Sequence, residues 1–180
     1  MTFHYSLRTF RSSLAFLIIH SQFLNISALT TYTGQTMESD MKKRVLFVCR
    51  HNSARSQMAE AFLNQLDGDR FKAESAGLNP KTILPAAATV MREIGLDISD
   101  QPTRSVNDLY FEGEVYDYVI TVCDDDSAKE CPEFDYPCRH LRWSFDEPSQ
   151  FEGSPEEILE QTRQVRDQIR LRIFQWRDSS

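Results

Sequence analysis

The sequence predicts a small α/β domain built around a parallel sheet, and three features carry that expectation. Val45-Leu46-Phe47-Val48-Cys49 is a continuous apolar run that stops at a polar loop, the pattern of a strand covered on both faces. Directly after that loop, residues 55–66 place Met58, Ala59, Phe62, Leu63 and Leu66 at helical spacing. Strand-like and helix-like segments then alternate along the chain, the order of βαβ units.

The elements follow in order. Gly68 closes the first helix. Phe71 to Ala76 reads as a second strand, stopped by Gly77. Pro85 suits a first helical position, and its helix continues through Val90, Met91 and Ile94 to Gly95. Asp117 to Cys123 is a third strand and Arg139 to Trp143 a fourth. Residues 155–176 form a long last helix with an apolar stripe of Ile158, Leu159, Val165, Ile169, Ile173 and Trp176. Trp143 and Trp176 are most simply core anchors. Ligands of such sheets bind at the carboxyl ends of the strands, where Cys49 and Cys123 both stand.

The 180 residues suffice for one domain with a real core, and 41% hydrophobic with 26% charged residues is ordinary for a globular protein. A net charge of -7 repels the phosphate backbone, so no nucleic acid is expected as a partner. An anionic substrate must therefore be drawn in by a local positive site.

Residues 1–40 differ from the rest. Arg8 and Arg11 precede an apolar run, Leu14 to Ile19, that His20, Ser21 and Gln22 interrupt. A membrane span needs about 20 apolar residues, so no membrane insertion is expected. Asn25-Ile26-Ser27-Ala28 imitates a signal cleavage site only weakly, and the acid-poor, Ser/Thr-rich stretch faintly resembles a transit peptide. Met41-Lys42-Lys43-Arg44 directly precedes the first strand, as a natural start does. We expect residues 1–40 to be disordered or never made, and 41–180 to form the functional domain.

The segment between strand one and helix one, Cys49-Arg50-His51-Asn52-Ser53-Ala54-Arg55-Ser56, is a candidate anion site. The first N–H groups of a helix have no partners within it, and with the positive helix end they suit a tetrahedral oxyanion. Arg55 adds a planar fork that grips two oxygens at once. The same field stabilises a thiolate at Cys49, the nucleophilic form. Ser56 is placed to donate a hydrogen bond to it. A bare Cys-x5-Arg spacing is weak evidence; its position after a buried strand and before an amphipathic helix strengthens it.

The four cysteines are Cys49, Cys123, Cys131 and Cys138, too few for a secreted disulfide scaffold. Composition leaves two readings open, buried structural thiols in a reducing compartment or redox chemistry.

VLFVCRHNSARSQMAEAF closely resembles the opening of arsenate reductases of the low-molecular-weight tyrosine phosphatase fold. Further ordered segments agree: ESAGLNP at 74–80, IGLDIS at 94–99, VITVCD at 119–124, CPEF at 131–134 and WSFDEP at 143–148. The resemblance covers essentially all of residues 41–180. It implies a flavodoxin-like three-layer sandwich with a four-stranded parallel sheet. It implies Cys49 as nucleophile, Arg55 as oxyanion clamp, and Arg50, His51, Asn52, Ser53, Ala54 and Ser56 as the substrate-binding loop. Cys123 and Cys131 become the second and third thiols of a disulfide relay, and the residue before Pro148 the general acid. The family usually has Asp there; here Glu147 stands in the place and Asp146 precedes it, so both are candidates. Many relatives have Cys where Ala54 stands. Cys123 and Cys131 are separated by seven residues, one more than in some thioredoxin-coupled members. Asn52, Glu60 and Ser75 match a potassium site of some members, but Arg104 replaces a helpful Asp, and no ion is predicted. The expected protein is cytoplasmic, binds arsenate or a phosphate-like oxyanion, carries no bound cofactor, and draws electrons from thioredoxin or a glutaredoxin system.

Two rivals use the same residues. A low-molecular-weight tyrosine phosphatase hydrolyses phosphomonoesters through a Cys49 phosphocysteine and needs only Cys49, Arg55 and the acid. Such enzymes tend to place Tyr soon after the acid–proline pair, where this chain has Ser149, Gln150 and Phe151. A zinc module built from Cys123, Cys131, Cys138 and His140 has spacings wider than structural zinc sites use. The placement of Met41 gives a direct test. A chain beginning at Met41 is expected to fold and reduce arsenate as well as the full chain, and loss of solubility or turnover counts against that start.

Overall fold

The computed structural model describes residues 42–123 and 134–180. The expectations for residues 1–40 and for Cys131 lie outside them. The chain divides into two units, Met1–Ser39 and Asp40–Ser180, and every described residue belongs to the second.

Four strands form one parallel sheet: β1 (Lys43–Cys49), β2 (Phe71–Gly77), β3 (Tyr118–Thr121) and β4 (Arg139–Arg142). Their spatial order is β2-β1-β3-β4. Among the described residues the helices are α1 (Arg55–Asp67), α2 (Pro85–Arg92), α3 (Val106–Phe111) and α4 (Pro155–Arg177). A 3-10 turn spans Pro148–Gln150. The α/β architecture with a four-stranded parallel sheet is as the sequence implied.

Alternation along β1 sorts the core onto the two faces of the sheet. Val45, Phe47 and Cys49 join a cluster with Met58 and Phe62 of α1, Val90 and Met91 of α2, and Ile169, Ile173 and Trp176 of α4. Leu46 and Val48 join Val106 and Leu109 of α3, with Val119 and Phe134. Five consecutive apolar residues in β1 are thus explained, because neither face meets water. Trp143 lies in the first cluster, 5.9 Å from both Phe47 and Trp176 between ring centroids.

Local chemistry sets the ends of the last helix. Ser154 Oγ accepts from Glu157 N while the Glu157 carboxylate accepts from Ser154 N at 2.7 Å, a capping box, and Pro155 fills the first turn. Buried Arg166 donates to the Val90 carbonyl at 2.9 Å and ties α4 to α2.

Two boundaries and one cap conformation differ from the sequence reading. The second helix ends at Arg92, because Leu96 N and Ile94 N both turn back to Met91 O, and Gly95 at φ 81 reverses the chain. Gly68 caps α1 in a right-handed conformation, φ -63, not the left-handed one that favours glycine. The ladder of β3 ends at Thr121, so Cys123 lies just past the strand and joins the same cluster as Cys49. Helix α3 has no counterpart in the sequence reading; Ser105 caps it by accepting from Asn107 N.

Gly77 ends β2 against the loop that follows β1. A Cβ there would stand 2.7 Å from Asn52 N and 2.9 Å from His51 C, both backbone atoms that have no room to yield. Gly77→Ala is expected to destabilise the fold by about 1–3 kcal/mol in denaturant unfolding and to weaken anion binding. Wild-type stability in that variant would show that the loop yields easily.

Candidate active site

The strand order reverses at β1, so the crevice between the carboxyl ends of β1 and β3 is where a ligand of such a sheet binds. Residues 50–54 leave β1 there and enter α1. Asn52 takes φ 50, a left-handed conformation that asparagine tolerates, and this turns the chain tightly around Cys49.

The carbonyls of this loop point outward. Cys49 O accepts from Leu78 N, Arg50 O from Asn79 N, His51 O from Lys81 N and Ser53 O from Leu84 N, all between 2.8 and 3.1 Å. The segment after β2 therefore strips the acceptors from the loop and leaves its N–H groups for an anion. Asn52 N already donates to Cys49 Sγ at 3.2 Å. Ala54 caps α1 without a side-chain hydrogen bond, and no acidic residue stands in the first turn, so the positive helix start is uncapped.

One side chain organises the base of the loop. The Asn52 amide oxygen accepts from Arg104 N at 2.8 Å and Gln57 Nε2 at 3.2 Å. Its nitrogen donates to Ser56 Oγ at 2.9 Å and to Ser75 Oγ at 2.8 Å. Ser75 passes its own proton to Glu60 at 2.6 Å. Because Ser56 already accepts from Asn52, its hydroxyl proton is available for Cys49 Sγ, 3.0 Å away. Burial pushes the Glu60 carboxyl up, while the Ser75 hydrogen bond and the charge of Arg104 pull it down. Asn52, Ser75 and Glu60 are thus linked in one hydrogen-bonded chain.

Arg55 is 2% exposed. It donates through Nη1 to the Phe145 carbonyl at 3.0 Å and through Nη2 to the Glu147 carboxylate. Its Nε is buried and makes no hydrogen bond to any described residue. A positive environment surrounds the rim: burial first, then the charges of Lys81, Arg50 and Arg55, hold His51 below the usual imidazole range, with Glu147 opposing them.

The structure thus brings Cys49, Asn52, Ser53, Ala54, Arg55, Ser56 and Glu147 together. Asp146 is exposed on the neighbouring position, whereas Glu147 turns inward to Arg55. Cys123 is buried in the same cluster as Cys49. No disulfide joins Cys49, Cys123 and Cys138 to one another. Cys138 sits at the opposite end of the sheet, before β4, with Sγ 3.0 Å from His140 Nε2. Among the described residues no three His, Cys, Asp or Glu side chains converge on a metal position. Sequence reasoning missed Gln57, which is buried and holds Asn52 to the Pro102 carbonyl at 3.1 Å. Its signal was a polar residue on the apolar side of α1. It also missed the Phe145 carbonyl, which has no sequence signature.

The site is tested by its two chemical groups. Cys49→Ser is expected to abolish turnover, since a hydroxyl does not ionise there. Arg55→Lys is expected to lose at least about 10²-fold in kcat/KM, because a point charge does not replace the fork. Near-normal kinetics of Arg55→Lys would refute the clamp.

Known proteins resemble this chain along its folded length. The profile of the low molecular weight phosphotyrosine protein phosphatase family matches residues 44–179. An arsenate reductase of Shouchella clausii is 38% identical over 133 residues, 73% of this chain and 93% of the relative. An arsenate reductase of Bacillus subtilis is 34% identical over 137 residues, 76% and 96% of the two chains. Among solved structures, an arsenate reductase in the oxidized state superposes with a TM-score of 0.59 at 32% identity, covering 73% of this chain and 93% of the other. A thioredoxin-dependent arsenate reductase of Corynebacterium glutamicum gives 0.54 at 31%, covering 77% and 64%. A tyrosine phosphatase of Erwinia amylovora gives 0.62 at 16%, covering 80% and 97%, a likeness of fold alone.

Proposed function

The chain belongs to the low molecular weight phosphotyrosine protein phosphatase family, and we propose that within it this protein is an arsenate reductase with Cys49 as nucleophile. The observation that supports this reading is a second buried thiol, Cys123, in the same core cluster as Cys49 at the base of the anion loop. Reducing As(V) to As(III) takes two electrons, which two thiols supply on becoming a disulfide. A phosphatase has no use for the second thiol. Phe151 packs against the core cluster, and no Tyr follows Pro148 at positions 149–151.

The geometry supports the following reaction. Arsenate enters the loop and is held by its N–H groups and by Arg55. The Cys49 thiolate, stabilised by Ser56 and Asn52 N, attacks arsenic and forms a sulfur–arsenic bond. One arsenate oxygen leaves as water after protonation, and Glu147 supplies that proton. The Cys123 thiolate then attacks Cys49 sulfur. The sulfur–arsenic electron pair passes to arsenic, arsenite leaves, and a Cys49–Cys123 disulfide remains.

Both cysteines are buried, so a bulky reductant would reach that disulfide poorly. Cys131, eight positions on in the sequence, is the thiol we assign to attack Cys123 and free Cys49. An external dithiol then reduces the Cys123–Cys131 bond. Thioredoxin is our choice of donor, supported by the Corynebacterium relative described as thioredoxin-dependent. Such a relay works in a reducing compartment, which places the protein in the cytoplasm. No helix among the described residues is long and apolar enough to cross a membrane.

Arsenite release with thioredoxin, thioredoxin reductase and NADPH is the primary test, run beside hydrolysis of a phosphotyrosine mimic. Robust hydrolysis without arsenite release would reverse the reading in favour of a phosphatase. Glu147→Gln is expected to slow reduction by about 10²-fold or more, and Asp146→Asn to leave it near normal. Cys131→Ser is expected to release one equivalent of arsenite and then stall, and Cys123→Ser to stop at the adduct. Mass mapping of oxidised protein should find Cys123 joined to Cys131. A Cys131–Cys138 bond would overturn the relay.

A further inference from the structure

The loop arginine is gripped by the residue assigned as acid, and its geometry says which part is gripped. A guanidinium presents its side-on edge through Nε and Nη2, the edge that holds two oxygens of a tetrahedral anion in parallel. In Arg55 that edge is split. Nη2 donates to Glu147, and Nε is buried without a hydrogen bond to any described residue. The remaining nitrogen, Nη1, is anchored on the Phe145 carbonyl and keeps the guanidinium in place. A carboxylate of the chain therefore occupies half of the position an oxyanion needs.

We propose that Glu147 is an intramolecular competitor of the substrate: it latches Arg55 in the empty enzyme and is displaced when the oxyanion binds. This rests on the arsenate reductase reading and adds a regulation of the same site. The latch has a physical purpose. Arg55 is a charge removed from water and needs an anionic partner at all times. Glu147 meets that need between turnovers. An incoming oxyanion satisfies Nε and Nη2 together, which one Glu147 oxygen does not, so exchange favours the tetrahedral ligand. On release, the Glu147 carboxyl stands beside the bound anion, where a proton donor is required.

The length of the Glu147 side chain makes the idea testable. Glu147→Gln removes the competing charge, and Glu147→Asp keeps the charge but shortens the arm by one methylene. Binding is measured by calorimetry with inorganic phosphate, which forms no arsenic adduct and accepts no electrons. Both variants are expected to bind phosphate about tenfold more tightly than the wild type, the loss of one charge-assisted hydrogen bond that competes with the ligand. Glu147→Gln is expected to combine this tighter binding with slower arsenate reduction, a split that a merely structural residue does not give. If Glu147→Gln binds more tightly but Glu147→Asp matches wild type, plain charge repulsion explains the effect and the latch is wrong. Unchanged or weaker binding in both variants also overturns it. Either failure leaves the reductase reading standing so long as the wild type releases arsenite, and absence of that release is what defeats the underlying reading.

Discussion

The active loop depends on the side chain of Asn52. Its amide oxygen and nitrogen are both fully committed, to Arg104 and Gln57 on one side and to Ser56 and Ser75 on the other. The Arg104 backbone N–H is an unambiguous donor, so it fixes which end of the amide is oxygen. That choice then orients both serines. Ser56 is left with its proton facing Cys49, and Ser75 with its proton facing Glu60. A single rotated amide would set its NH2 against the Arg104 N–H and turn its oxygen to the two serines, drawing their protons away from Cys49 and Glu60. The left-handed backbone of Asn52 and the missing side chain of Gly77 belong to the same constraint, because the loop closes only where β2 approaches it without a Cβ.

The second organising fact is charge. A chain with a net charge of -7 does not attract anions as a whole. It concentrates positive potential at one rim, through an uncapped helix start, Arg55, Arg50 and Lys81. The outward carbonyls matter as much as the inward donors. Each one bound by the segment between Leu78 and Leu84 is an acceptor that no longer repels an oxyanion. Preorganisation of this kind is completed on folding, so binding needs little rearrangement beyond the exchange at Arg55.

Much of the fold was legible in the sequence because burial writes itself into periodicity. The unbroken apolar run of β1 and the stripes of α1 and α4 report sheet and helix faces directly. Short elements were not legible. Helix α3 buries only Val106 and Leu109, too few positions for a period to emerge. The end of the second helix turned on Gly95, whose positive φ stops the helix earlier than its apolar pattern suggested.

For the site, the sequence alone determined the chemical types and their spacing: a thiol and a guanidinium flanking a loop at a helix start, and a second thiol at the end of a later strand. Local chain geometry suffices for those, since Cys49 and Arg55 sit on one turn of the chain. Only the tertiary structure decided between Asp146 and Glu147 as the group that faces Arg55, because adjacent residues in extended backbone point in opposite directions and sequence does not say which points inward. It alone also placed Gln57, the Phe145 carbonyl and the Leu78–Leu84 donors, contacts made across long stretches of chain. Cys138 was placed the same way. The parallel register of β3 and β4 sets it at the far end of the sheet from Cys49, a separation fixed by strand pairing and invisible in residue spacing.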